Sequence, residues 1–384
     1  MDFDLTDEQR MLSDSIRRLV ADAYDDFEKR KAYRAEPRGY ADANWQKFAE
    51  MGLLGLPFSE EDGGFGGGPV ETMLVCEQFG RGLVVEPYLA TVVLGGGLLK
   101  RAGSDAQRAE LIPAIAEGSL TLAFAHQERQ ARHDLHDVAT TATRSADGWV
   151  LNGAKGVVMH GDSADRLIVS ARTAGGRRDR DGISLFLLDP TAQGVTRRGY
   201  ATQDGLRAAE VVLENVTVPA SALLGPEGAA LPLIEQVVDE ANAAICAEAL
   251  GAMEVLRDLT VDYLKQRTQF GQPIGNFQAL QHRAADMLVA TEQARSMAMY
   301  AAMMVQEADP AARRVALSAA KALVAKNADQ LGKDAIQLHG GIAVTEEYKA
   351  GHYFKRLTML AGLFGDVDHH LRVVVAAGGL PEAA

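Results

Sequence analysis

Apolar residues recur at Met11, Leu12, Ile16, Leu19 and Val20, a stripe of helical period within "LTDEQRMLSDSIRRLVADAY". Thr6 followed three residues later by Gln9 is the pattern of a capping box, so a helix is predicted to begin there. Further helices are predicted around 44–51, 69–81, 88–102 and 105–117, separated by Gly and Pro. "SEEDGGFGGG" (59–68) carries too much glycine for a helix interior and reads as a loop. No strand precedes it, so it is not a phosphate-cradling glycine motif.

Near residue 119 the period changes. "LTLAFAH", "GWVLNGAK", "RLIVSART", "GISLFLLD" and "AEVVLENVTV" are short β-prone runs divided by turn signals, among them "ADG" (146–148) and "NG" (152–153). No helix-length segment separates them, so an antiparallel barrel or sandwich is expected. Pro219 and "GPEG" (225–228) close this section. From about 230 the helical period returns: Ile245, Ala249, Ala252, Leu256, Leu259 and Tyr263 form an amphipathic stripe, with comparable patterns over 277–307, 311–338 and 347–362. The expected fold is mainly α with a central antiparallel β domain: an N-terminal helical domain (1–118), a middle β domain (119–228) and a C-terminal four-helix bundle (229–384).

A chain of 384 residues suits two or three sub-domains. The net charge of −13 argues against a nucleic-acid or anionic-membrane surface, both of which need clustered positive charge. "RTAGGRRDR" (172–180) is locally basic, but its glycines and Asp179 read as a solvated turn. Two cysteines, Cys76 and Cys246, imply a reducing compartment and neither a disulfide framework nor a Cys-based zinc site. With no signal pattern and no membrane-length apolar run, a soluble cytoplasmic protein is expected.

Three stretches then coincide with one family. "RTQFGQPIGNFQALQH" (267–282) matches R-x-x-F-G-x-x-I-x-x-F-Q. "IQLHGGIAVTEEY" (336–348) matches Q-x-x-G-G-x-G, with Ala343 in place of the last Gly. "WVLNGAK" (149–155) matches an N-G-x-K strand turn. With "FDLTDEQ" and "MGLLGLPFSEEDGGFGG" (51–67), the chain resembles the acyl-CoA dehydrogenases over its whole length. More narrowly, it looks like the small subunit of the pimeloyl-CoA dehydrogenase group, related to steroid-degradation dehydrogenases built from two different chains. The resemblance implies an FAD enzyme that desaturates an acyl-CoA thioester: a carboxylate removes the α-proton, the β-hydride passes to the flavin, and an electron-transfer flavoprotein reoxidises it. It also implies that each FAD lies between subunits, one supplying the flavin-ring pocket and its neighbour the ADP contacts.

Carried over position by position, the ADP-contacting set is present. Arg267 matches the arginine that reaches the diphosphate, Phe270 the residue packed near the adenosine, and Gln278 belongs to the same motif. Gln337, Gly340 and Gly341 match the second motif, where absent Cβ atoms let backbone approach the cofactor. The flavin-ring set is degraded. "AHQERQARHDLHD" (125–137) lacks the Gly-Ser pair of the family's T-E-P-x-A-G-S-D, and the W-I-[ST] triplet is replaced by Val157, Val158 and Met159. The base is missing at both family positions: the Y-E-G-T pattern reads Leu363, Phe364, Gly365, Asp366, and the alternative helix position falls at Ala241, beside Glu240.

"LFGDVDHHLR" (363–372) therefore reads as a base-bearing segment whose base has gone. Asp366, His369 and His370 share a helix face, but no further ligand cluster supports a metal, and none is expected. The leading expectation is an FAD-completing subunit of an α2β2 acyl-CoA dehydrogenase. One competitor is a self-sufficient homotetramer using Asp366 or Glu240 as base; the other is a non-enzymatic scaffold that has lost FAD. The acyl group, whether dicarboxylic, steroid-derived or fatty, is open at this level.

Overall fold

A computed structural model describes residues 4–379. Helix α1 (Asp7–Tyr24) begins at the expected capping box: the Gln9 N–H donates to Thr6 Oγ1 (3.2 Å) and the Thr6 N–H to Gln9 Oε1 (3.0 Å). Ile16 and Val20 of its stripe are buried, whereas Met11 is 70% exposed. There follow α2 (Phe27–Ala35), α3 (Asp42–Glu50) and α4 (Pro69–Gly82), then a π-helical stretch Leu89–Gly95 running into α5 (Gly96–Ala102), and α6 (Asp105–Ala116). A second capping box, Ser104 with Gln107, starts α6.

The middle of the chain forms β1 (Leu122–Ala125), β2 (Thr141–Ser145), β3 (Gly148–Met159), β4 (Arg166–Arg172), β5 (Ile183–Leu188), β6 (Val195–Ala201), β7 (Arg207–Pro219) and β8 (Leu223–Leu224). They make one sheet in the order β6-β7-β3-β2-β4-β5-β8, with β1 paired to β4. The sheet is mixed. Most pairings are antiparallel as expected, but β1 runs parallel to β4, and β2 meets β4 parallel at Thr141–Arg172. "ADG" is the β2–β3 hairpin turn, with Ser145 opposite Gly148. "NG" is not a turn: β3 continues through it with a bulge between Leu151 and Gly153. Gly153 has φ +154°, and a Cβ there would lie 2.5 Å from Thr140 Oγ1, so the close passage requires glycine.

Within the basic segment 172–180, residues 174–180 are exposed, as expected of a solvated turn, but its first residue is not. Arg172 is buried, and its guanidinium donates to the carbonyls of Val138, Asp181, His136, Arg177 and Asp179 at 2.8–3.2 Å. A planar fork of five donors can close an irregular loop in this way, satisfying carbonyls that no strand partner reaches.

The last third comprises α7 (Leu231–Gln266), the short hairpin β9 (Thr268–Gln269) and β10 (Gln272–Pro273), α8 (Gln278–Met304), α9 (Pro310–His339), α10 (Ala350–Gly362) and α11 (Val367–Ala376). Two compact units emerge. The first gathers residues up to Arg30, Pro69–Val84 and Asn242 onward; the second gathers Lys31–Gly68 and Val85–Ala241. Within the first, α4 crosses α7 with Gly80 facing the carbonyl of Glu248 and Gly251 facing that of Glu77, so closely that a Cβ at either would overlap the oxygen. Buried Arg356 pairs with Glu248 (2.6 Å), tying α10 to α7, while Arg81 and Arg295 both reach Glu254. In the second unit, Trp149, Leu151, Val169, Phe186 and Val211 belong to the apolar core of the sheet. No helix of the described residues is long and apolar enough to cross a membrane.

Candidate active site

The six matched positions for the ADP end all lie in the first unit. Arg267 follows the end of α7, exposed, its N–H donating to Tyr263 O (2.8 Å). The β9–β10 turn places Phe270 at φ +55° and Gly271 at φ +80°, the two left-handed conformations of a two-residue hairpin. A phenylalanine pays in strain for that conformation, and here its ring is also 90% exposed, edge-on to Phe277 at 6.0 Å.

At the end of α9, Gln337 is exposed and Gly340 takes φ +66°. No atom lies within 4 Å of where a Cβ would stand on Gly340 or Gly341. His339, between Gln337 and the two glycines, makes ring contacts with Tyr263 near the end of α7 (4.7 Å) and with Tyr348 (5.1 Å). Gln278 is exposed on the first turn of α8 and is not part of that cluster.

The ring-end positions lie in the second unit. A second irregularity of β3, between Lys155 and Val158, puts Val157 at φ +50°, 39% exposed, with Val158 buried. Lys155, Glu128, Ser170 and His126 form a network turned inward. Lys155 Nζ donates to Glu128 Oε1 (2.6 Å), Ser170 Oγ (3.1 Å) and His126 O (3.3 Å), and His126 Nδ1 lies 2.9 Å from Ser170 Oγ. Glu128 also accepts from the N–H groups of Ala139 (2.8 Å) and Thr140 (3.0 Å). Burial raises the Glu128 carboxyl, but the Lys155 charge and these donors outweigh it and hold it down at about 2. Burial and the Lys155 charge push His126 down to about 3, leaving it neutral. The two sequence stretches matched to the ring end thus meet through a buried ion pair.

Several side chains of the segment 363–372 take structural roles. Phe364 (φ +56°) and Gly365 (φ +126°) make a tight reversal after α10. Asp366 caps α11, accepting from the His369 N–H (2.8 Å). His370 is buried, with Nδ1 3.1 Å from Ser318 Oγ. Buried Lys321 donates to the carbonyls of Leu360 (2.7 Å), Ala361 (3.0 Å) and Gly365 (3.4 Å), a cation on the last carbonyls of α10. Burial pushes that lysine down to about 8. Ala241 is fully buried, and Glu240 is held by Arg101. Among the described residues no group of three His, Cys, Asp or Glu side chains is placed to hold a metal.

Profiles of the acyl-CoA dehydrogenase N-terminal, middle and C-terminal domains match residues 6–119, 123–216 and 231–378. The chain belongs to the acyl-CoA dehydrogenase family. It is 31% identical to the probable acyl-CoA dehydrogenase YngJ of Bacillus subtilis, across 91% of this chain and 92% of that protein. Among solved structures it is similar to the FAD complex of PigA (27% identity, TM-score 0.90, 99% and 100% of the two chains). It is also similar to a chain of the ChsE4–ChsE5 complex of Mycobacterium tuberculosis (25% identity, TM-score 0.89, 99% and 100%).

FAD is the cofactor of acyl-CoA dehydrogenases, oxidoreductases acting on acyl-CoA thioesters. The ADP-end surface fits that cofactor. An exposed guanidinium suits a diphosphate, and the Gly340–Gly341 backbone is open, with nothing within 4 Å of either Cβ position. At the ring end the W-I-[ST] positions expose the apolar Val157, and Glu128 and Lys155 pair with each other, while Gln127, Arg129 and Arg132 of the matched stretch are exposed. Tyr263, His339 and Tyr348 were not singled out by the sequence; only the position of His339, directly before the Gly-Gly pair, points to them.

Proposed function

We propose that this acyl-CoA dehydrogenase chain is the FAD-completing, non-catalytic subunit of a two-chain enzyme, assembled as α2β2. Arg267, Phe270, Gln278, Gln337, Gly340 and Gly341 hold the ADP end of FAD, while the partner chain supplies the flavin-ring pocket and the carboxylate that removes the α-proton. FAD, when bound, accepts the β-hydride, and an electron-transferring flavoprotein takes the electrons onward. The observation that carries this reading is the contrast between two ends of one chain. The nucleotide end is exposed and unobstructed, whereas the two family base positions hold Phe364 and Ala241 and the neighbouring carboxylates serve as a helix cap and an ion-pair partner. A phenyl ring and a methyl group cannot take a proton.

Expression alone and together with a candidate partner chain, followed by mass and flavin absorbance, tests this. The expected result is a chain with little flavin alone and a yellow heterotetramer that oxidises an acyl-CoA. A yellow, active chain on its own would instead make it a self-sufficient homotetramer, and a colourless assembly would make it a scaffold.

A further inference from the structure

His339 packs the second matched motif against α7, whose end leads into Arg267. It is 3% exposed, at the last position of α9 and immediately before Gly340. Its Nδ1 lies 2.8 Å from Ala335 O, and a carbonyl only accepts, so Nδ1 carries the proton. Nε2 is then an acceptor, and the Tyr348 hydroxyl, 3.1 Å away, donates to it. Burial lowers its pKa, which keeps this neutral tautomer in place. The Tyr263 ring packs on the same imidazole at 4.7 Å, one helical turn before Arg267.

A helix C-terminus presents carbonyls and partial negative charge, which repel a diphosphate. The Gly340 N–H still donates to Ile336 O inside the helix, and the chain leaves α9 at Gly340 with φ +66°, so the backbone that follows is the part able to approach such an anion.

We propose that His339 is a positioning residue for the nucleotide end of FAD: bonded to Tyr348 and packed on Tyr263, it fixes the Gly340–Gly341 backbone relative to the Arg267 guanidinium. This rests on the reading of that surface as the ADP contact. It extends that reading to three side chains that do not touch the cofactor and act only through the groups that do.

The test measures FAD affinity of the assembled enzyme, by flavin release on dilution, alongside its melting temperature. His339→Phe keeps the ring and loses both hydrogen bonds, while Tyr348→Phe removes only the donor to Nε2. Each is expected to weaken FAD retention roughly five- to tenfold, the usual worth of a hydrogen bond. His339→Gln, whose amide oxygen can accept from Tyr348, is expected to restore most of the loss. Arg267→Ala serves as the reference for the surface itself. If it leaves FAD retention unchanged, the ADP assignment fails. If it weakens retention while Tyr348→Phe matches the wild type, the ADP assignment stands and the role of His339 is overturned. His339→Gln behaving no better than His339→Phe would overturn it equally. Should His339→Phe not fold, the Tyr348→Phe and His339→Gln pair still decides.

Discussion

Asp366 is a carboxylate in the segment where the family keeps its base, yet its oxygen is spent on the His369 N–H. A catalytic base contributes roughly 10²–10⁴-fold to rate. Asp366→Asn in the assembled enzyme is expected to lower turnover far less, since the amide oxygen can still cap α11. Asp366→Ala is expected to cost about 1 kcal/mol of stability through loss of the cap, read by denaturant melts. Near-complete loss of turnover in Asp366→Asn with FAD still bound would make this chain catalytic. Glu128 gives a pH signature. Its folded pKa, about 2, lies below the ordinary 4.5, so the stability it contributes is fully present above pH 4.5 and is lost as pH falls toward 2. Glu128→Gln is accordingly expected to be less stable than wild type at pH 7, by about 3–5 kcal/mol for an uncompensated buried lysine, with the gap narrowing through that acid window. A gap constant with pH would show that the carboxylate is not the partner of Lys155.

Elements followed the sequence where local chemistry sets them. The two capping boxes start α1 and α6 because side chain and backbone satisfy each other within four residues. The stripe through Ile245, Ala249, Ala252 and Leu256 is buried, but so are Cys246, Ala247, Leu250 and Met253 between its positions. A helix packed on several sides cannot be told from its own period. Strands β2 and β6 escaped sequence reading because "TATRS" and "VTRRGYA" are largely polar and gain their order from neighbours, β3 and β7. The α4–α7 crossing was equally silent, resting on two glycines in unrelated stretches. Gly251→Ala is expected to destabilise the first unit by about 1–3 kcal/mol, because the added methyl meets rigid backbone rather than a yielding side chain. Unchanged denaturant melts would refute that close approach.

For the whole molecule, the proposed two-chain assembly predicts that replacing a partner's base abolishes acyl-CoA oxidation while FAD stays bound, whereas Phe364→Ala here leaves proton abstraction intact. Single-turnover flavin bleaching by an acyl-CoA distinguishes the two. Loss of bleaching in Phe364→Ala with the partner base intact would place the chemistry in this chain.

The sequence by itself determined the order of helical, β and helical sections, the family, the two C-terminal motifs with Ala343 in place of a glycine, and the absence of a carboxylate at Phe364 and Ala241. These are local properties: period, caps and short motifs are written within a few residues of one another. Only the tertiary structure decided that Asp366 is a cap, that Arg172 is buried under a loop rather than solvated, that Glu128 and Lys155 form one network, and that His339 at the end of α9 packs on Tyr263 of α7. Those outcomes depend on which groups become neighbours when water is excluded, and a side chain's partner across the fold leaves no mark on the residues beside it in the chain.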